Sequence, residues 1–127
     1  MNLSESVRRR VKQPVEAPHF YLGIQVPRQE TLVKYGLDET EWMKILERQN
    51  GKCGACHKVP TSGRMNIDHE HIRGWSKMKT ADRKPFVRGL LCYMCNHYRL
   101  ARGATIENLA GASGYLSAYA ARKLGRG

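Results

Sequence analysis

Acidic residues are scarce in this chain: 11 Asp and Glu stand against 22 Lys and Arg over 127 residues, a formal net charge of +11. Such a balance disfavours a polycationic partner and points to a polyanion, either nucleic acid or an acidic membrane surface. Long apolar runs are missing as well. No stretch approaches the ~18 residues of a spanning helix, and Met1 to Lys12 carries arginines with no hydrophobic segment of a signal peptide behind them. These absences exclude a membrane partner and make a reducing cytoplasm the expected location. There are only four cysteines, and in that compartment thiols are metal ligands before they are disulfides. Two Trp, six Tyr and two Phe allow a modest core, and the length fits one domain of ~100–150 residues.

The basic residues that are present cluster. Residues 72–103 hold eight of them against one acid: Arg73, Lys77, Lys79, Arg83, Lys84, Arg88, Arg99 and Arg102, interleaved with Trp75, Phe86, Tyr93 and Tyr98. A polyanion is expected to dock there, the bland alternative being a solvated basic loop. Met1 to about Arg28 holds Arg8-Arg9-Arg10 and three prolines with little periodicity, the composition of an arm with poor intrinsic order. A helix is expected from about Asp38 to Gln49. Asp38 caps it, Glu41 completes a capping box, Leu37 staples onto Trp42, and Trp42, Ile45 and Leu46 share one face before Asn50-Gly51 ends it. A second helical pattern begins at Thr105 and runs through Ile106, Leu109, Ala112, Leu116 and Tyr119 towards Lys123, its apolar stripe expected to pack on the chain's own core rather than on a second copy.

Cys53-x2-Cys56 and Cys92-x2-Cys95 are two knuckles that together make a tetrahedral four-thiolate site. A rubredoxin-like iron site is chemically open, but Zn2+ is the better match. With four thiolates on it the ion keeps no free position, so its role is structural. Between the knuckles, Arg64 to His69 alternates polar and apolar residues as a half-buried strand does, and Pro85 to Leu91 reads as its hairpin partner, with Arg73 to Lys84 as a long basic tip. Asn96 to Arg102 is helix-compatible up to Gly103. Strand, strand, helix is therefore the order, and polar residues gather at its seams. Asp68 and the amide oxygen of Asn96 suit a hard divalent cation such as Mg2+ or Mn2+, and a neutral His69 suits the removal of a proton from water. The competing reading is a non-catalytic zinc-ribbon DNA-binding module or regulator in which these residues only brace the hairpin.

Cys53-Gly-Ala-Cys56, then Asn66-Ile-Asp-His-Glu-His71, then Val87-Arg-Gly-Leu-Leu-Cys92-Tyr-Met-Cys95-Asn96 closely resembles the recombination endonuclease VII family of phage nucleases, a branch of the HNH or His-Me finger superfamily. The resemblance spans about Tyr35 to Gly103. It implies an α+β fold, a small zinc-stabilised ββα-metal domain with flanking helices, the nuclease domain running over 35–103; composition and apolar pattern add a basic N-terminal arm over 1–34 and a C-terminal helix over 104–127. It also implies Asp68 and Asn96 on the catalytic ion, His69 as general base and His71 as an auxiliary group near the phosphate. The expected function is metal-dependent DNA cleavage by nicking or double-strand cutting in phage DNA processing, with resolution of branched DNA second. The implied partner is DNA in the bacterial host cytoplasm, and the resemblance also admits a homodimer and other phage DNA-processing proteins. Two departures stand out: the loop from Ile72 to Pro85 is longer than the family's short turn, and Arg99 stands where junction-resolving members can carry an acid.

Overall fold

A computed structural model describes residues 17–100 and 104–125 of the chain; the arginine run at 8–10 and Arg102 lie outside the described residues. The elements follow in the order β1 (Phe20–Tyr21), β2 (Ile24–Gln25), α1 (Gln29–Lys34), α2 (Glu39–Arg48), β3 (Asn66–His69), β4 (Val87–Leu91), a π-helical turn (Cys95–Arg99) and α3 (Ile106–Gly125), a mixed α+β arrangement. β1 pairs with β2 and β3 with β4, each pair antiparallel.

Order begins earlier than composition suggests. The first hairpin turns on Leu22 and Gly23, both with positive φ (50° and 81°), and it places Ile24 and Val26 in the core beside Leu32 of α1. The arm expected over residues 1–34 is thus folded from β1 onward. Its strands of two residues are too short to show a period of two, and burying three separated apolar side chains is what offsets the cost of ordering them.

Helix α2 is the scaffold. Asp38 accepts the Glu41 N–H at 2.7 Å while Glu41 accepts the Asp38 N–H at 3.0 Å, the expected capping box. Trp42, Ile45 and Leu46 are buried on one face and Leu37 beneath its start, and Asn50 and Gly51 end the helix with φ of 56° and 71°. From its last turn Gln49 reaches β4. Its Oε1 accepts the Leu90 N–H at 2.9 Å, and its Nε2 donates to the carbonyls of Leu90 (2.9 Å) and Lys52 (2.8 Å). One side-chain amide therefore does for β4 what a neighbouring strand would. A Cβ on Gly89 would lie 2.8 Å from Gln49 Oε1, which is why that position has no side chain.

The second hairpin pairs Asn66 with Leu91, Ile67 with Leu90 and Asp68 with Gly89, and then slips, so that His69 faces Val87 and Arg88 is the extra residue. Both strands start later than Arg64 and Pro85. The expected basic tip between them is not an extended finger but three short 3-10 turns, Trp75–Lys77, Thr80–Asp82 and Lys84–Phe86, packed so close to the α1–α2 link that a Cβ on Gly36 would sit 2.6 Å from the Thr80 carbonyl. After β4 the chain turns as a five-residue π-helix rather than a regular helix. Helix α3 corrects a further expectation: none of its described residues is buried, and Ile106, Leu116 and Leu124 are well exposed. Gly111 and Gly114 interrupt its stripe, and Leu109, Tyr115 and Tyr119 stay exposed as well, beside a core that residues 24–95 already close.

Candidate metal centre and catalytic cleft

The two knuckles come from different ends of the second hairpin. Cys53 and Cys56 precede β3, in a turn where the Cys53 N–H bonds the Lys58 carbonyl at 3.0 Å and His57 carries a positive φ of 60°. Cys92 and Cys95 follow β4 directly and lead into the π-turn. The four sulfurs all lie within 4.8 Å of one another, and Cys56 and Cys92 are 3.9 Å apart. A tetrahedral ion with metal–sulfur bonds of ~2.3 Å requires edges of ~3.8 Å, so the cluster fits a four-thiolate metal. Donors surround it: the N–H groups of Ala55 (3.4 Å) and Cys92 (3.3 Å) point at Cys53 Sγ, and Arg99 Nη1 donates to Cys95 Sγ at 3.2 Å. Burial pushes the Cys53 thiol up, but backbone donors from Cys56, Cys92 and Ala55 outweigh it and bring it down to about 6. Burial drives Cys95 the other way, up to about 12, with the three neighbouring thiols adding to the rise and Arg99 opposing it. One thiol thus ionises readily and another resists, and a bound cation would favour the thiolate form of its ligands.

The bulge in the second hairpin arranges the polar residues. By taking Arg88 out of the ladder it lets the guanidinium fold back onto Asp68, with Nε on Oδ2 at 2.8 Å and Nη2 on Oδ1 at 3.0 Å; bulges beside active sites commonly re-aim a side chain in this way. Asp68 is buried. His69, next along, is half-buried and stacked on Trp75, with centroids 3.9 Å apart and planes 16° apart. Tyr35 stands 5.8 Å from the same imidazole and His71 at 5.3 Å. Burial holds the His69 pKa below its ordinary 6.5, helped by His71 and by the Arg88 and Arg83 cations and opposed by Asp68. His69, His71, Arg73 and Trp75 line an open cleft of about 540 Å3.

Asn96 is half-buried in the π-turn, where its N–H bonds the Cys92 carbonyl at 2.9 Å; its side chain makes no hydrogen bond to Asp68 or His69 among the described residues. The Arg88 fork takes one lone pair of each Asp68 oxygen and leaves the other open.

The basic residues divide. Arg73, Lys77 and Lys79 are exposed around the cleft loop. Lys84 pairs with Glu41 of α2, Arg88 holds Asp68, and Arg99 serves the cysteine cluster. Arg83 departs furthest from the expectation of a phosphate contact: it is buried, donating to the carbonyls of Lys34 and Trp75 at 2.9 Å each, with its guanidinium carbon 4.9 Å from the Trp75 ring centre. Sequence reasoning passed over Tyr35, Trp75 as a partner of His69, and Gln49. Only Trp75 carries a signal, as a large aromatic in a polar loop; Tyr35 and Gln49 come from distant segments and meet the site only in the fold.

No helix among the described residues is long and apolar enough to cross a membrane. The sequence profile described as Recombination endonuclease VII matches residues 28–118. The Gene 59 protein of Mycobacterium phage L5 is 37% identical over 70 residues, 54% of this chain and 36% of that protein. The Gene 59 protein of Mycobacterium phage D29 is 39% identical over 88 residues, 67% of this chain and 46% of that protein. The chain thus spans less than half the length of these relatives. No solved structure matches it.

Proposed function

Since the chain belongs to the recombination endonuclease VII family, we propose that it is a metal-dependent DNA endonuclease of the HNH, ββα-metal type, in which β3, β4 and the π-turn form the catalytic unit. The observation that supports this reading most directly is the setting of His69: an imidazole stacked flat on Trp75, next in the chain to the carboxylate that Arg88 holds, lining an open cleft with His71 and Arg73, its pKa lowered by burial. A general base must be oriented towards its water and able to accept a proton.

In the proposed reaction His69 takes a proton from water as the water oxygen bonds to phosphorus, and the bond from phosphorus to the 3'-oxygen breaks. Asp68 and Asn96 would hold a divalent ion, Mg2+ or Mn2+, and a cation so held polarises the phosphoryl oxygen and steadies the departing charge. His71 and Arg73 face the phosphate. Cys53, Cys56, Cys92 and Cys95 would hold a structural Zn2+ that fixes the ends of both strands and takes no part in the chemistry. Nicking or double-strand cleavage in phage DNA processing, inside the host cytoplasm, is the role that fits; branched-DNA resolution is the second.

The test is supercoiled plasmid incubated with the chain and Mg2+ or Mn2+, with EDTA and His69→Ala as controls. Nicked or linear product in the metal lanes alone supports the proposal. A second reading draws on the Asp68–Arg88 pair, which also suits a hairpin brace: the protein is then a non-catalytic zinc module on DNA. A gel shift with no cleavage under either ion would favour that reading.

A further inference from the structure

Beside the cysteine cluster, the surface carries a group of rings that the cleavage mechanism does not use. Tyr93 and His97 stack with centroids 4.0 Å apart and 26° between planes, and Tyr98 meets Tyr93 edge-on at 6.1 Å. They face outward: Tyr93 is 56% and Tyr98 65% exposed. Tyr93 also walls a cavity of about 330 Å3 together with Val59 and Met94, themselves exposed, and with Lys58 and Arg99. That volume lies at the lower end of the ~300–1,000 Å3 typical of small-ligand pockets. Contiguous exposed apolar side chains mark a binding surface, and the charge around this one identifies its occupant. Cys56 and Cys92 of the cluster form part of the cavity wall; no carboxylate lines it, while Lys58 and Arg99 do, and Arg99 is held in place by its bond to Cys95 Sγ. An apolar side chain of a protein partner would have no use for that cationic lining. An unpaired nucleobase matches both parts, offering a flat π-face to the rings and a phosphate to the cations.

We infer that Tyr93 and Tyr98 form a stacking platform for unpaired bases, with Lys58 and Arg99 on the adjoining phosphates. The inference rests on the proposed nuclease function and narrows its substrate class to DNA that exposes single-stranded bases. In a paired duplex the π-faces are already occupied.

Fluorescence anisotropy of the zinc-loaded full chain tests this, using a short labelled oligothymidine and a matched duplex without the catalytic ion. Tyr98→Ala should weaken single-strand binding by about 5- to 150-fold, the loss expected for one stacked base, with duplex binding changed by less than about twofold. Tyr98→Phe should bind like wild type. Tyr93→Ala should behave like Tyr98→Ala; because Tyr93 stands between two cysteines of the cluster, its zinc content is measured alongside, and Tyr98→Ala decides the matter if zinc is lost. Unchanged single-strand affinity in zinc-loaded Tyr98→Ala overturns the inference and hands the patch to a protein partner, and equal losses on both DNAs overturn it in favour of general docking. Wild type that binds duplex but not the single strand overturns the inference alone. Wild type that binds neither DNA overturns it together with the nuclease reading.

Discussion

Arg88 grips Asp68 with both nitrogens of one guanidinium edge, at 2.8 and 3.0 Å. The two ends differ in environment, the carboxylate side chain being 8% exposed and the guanidinium side chain 47%. Removing the arginine therefore strands a buried charge. Arg88→Gln should cost about 1–3 kcal/mol, between the ~0–1 of an exposed pair and the ~3–5 of a fully buried one. A double-mutant cycle with Asp68→Asn, read from urea midpoints, should show a coupling near ~1 kcal/mol or more. Additive effects would mean that the bidentate geometry contributes nothing.

The cysteine cluster should behave as one unit. Cys56→Ser or Cys95→Ser should lose bound zinc and fold stability together, because structural zinc in small peptides contributes on the order of 10 kcal/mol, comparable to a whole domain's net stability. Metal analysis and thermal melting of the same sample check this. A variant that melts like wild type with no metal would remove the structural role.

His69 links stability to pH with a definite sign. Its folded pKa is lowered, so between the ordinary 6.5 and that lower value the unfolded chain binds the proton more readily. His69's contribution is present above pH 6.5 and is lost as pH falls through the folded value. His69→Gln should flatten that limb of a denaturation series. In the cleavage assay the acid limb of kcat/KM should likewise fall below pH 6.5, and His69→Ala should lose ~10²–10⁴-fold in rate.

The strand-like role of Gln49 has its own test. Gly89→Ala puts a methyl into contact with Gln49 Oε1 and should destabilise by about 1–2 kcal/mol through the displaced amide bonds. With Gln49→Ala already present, most of that cost should vanish. Persistence of the full penalty in the double variant would locate the strain elsewhere.

Exposed and buried cations separate in salt. Replacing Arg73, Lys77 and Lys79 by Gln should flatten the slope of log K against log salt for duplex binding by up to ~2.7, at ~0.9 for each phosphate contact. Arg83→Gln should leave the slope unchanged and lower the melting temperature, since its guanidinium is spent on the carbonyls of Lys34 and Trp75.

Local chemistry is what a sequence displays best. The cysteine cluster is legible because two CxxC pairs offer four thiolates to one ion, and α2 because Asp38, Glu41 and Trp42 satisfy cap and face rules within five residues. Contacts made across the chain are not. Arg83 looks like its neighbours Lys79 and Lys84, and only the carbonyls of Lys34 and Trp75, brought in by folding, bury it. Two-residue strands show no period, and the apolar stripe of α3 does not reveal what, if anything, covers it. The bulge that hands Arg88 to Asp68 is a matter of register, which composition does not record.

The segment between β3 and β4 is closed twice at its neck, by the Glu70 N–H on the Phe86 carbonyl at 2.8 Å and by Arg83 on Trp75. Residues 77–79 hang beyond both closures. The exposed charges of Lys77 and Lys79 therefore lie outside the contacts that set Trp75 against His69. Surface charge and imidazole packing are thus set by separate residues of one loop, so the first can be altered with the second left in place.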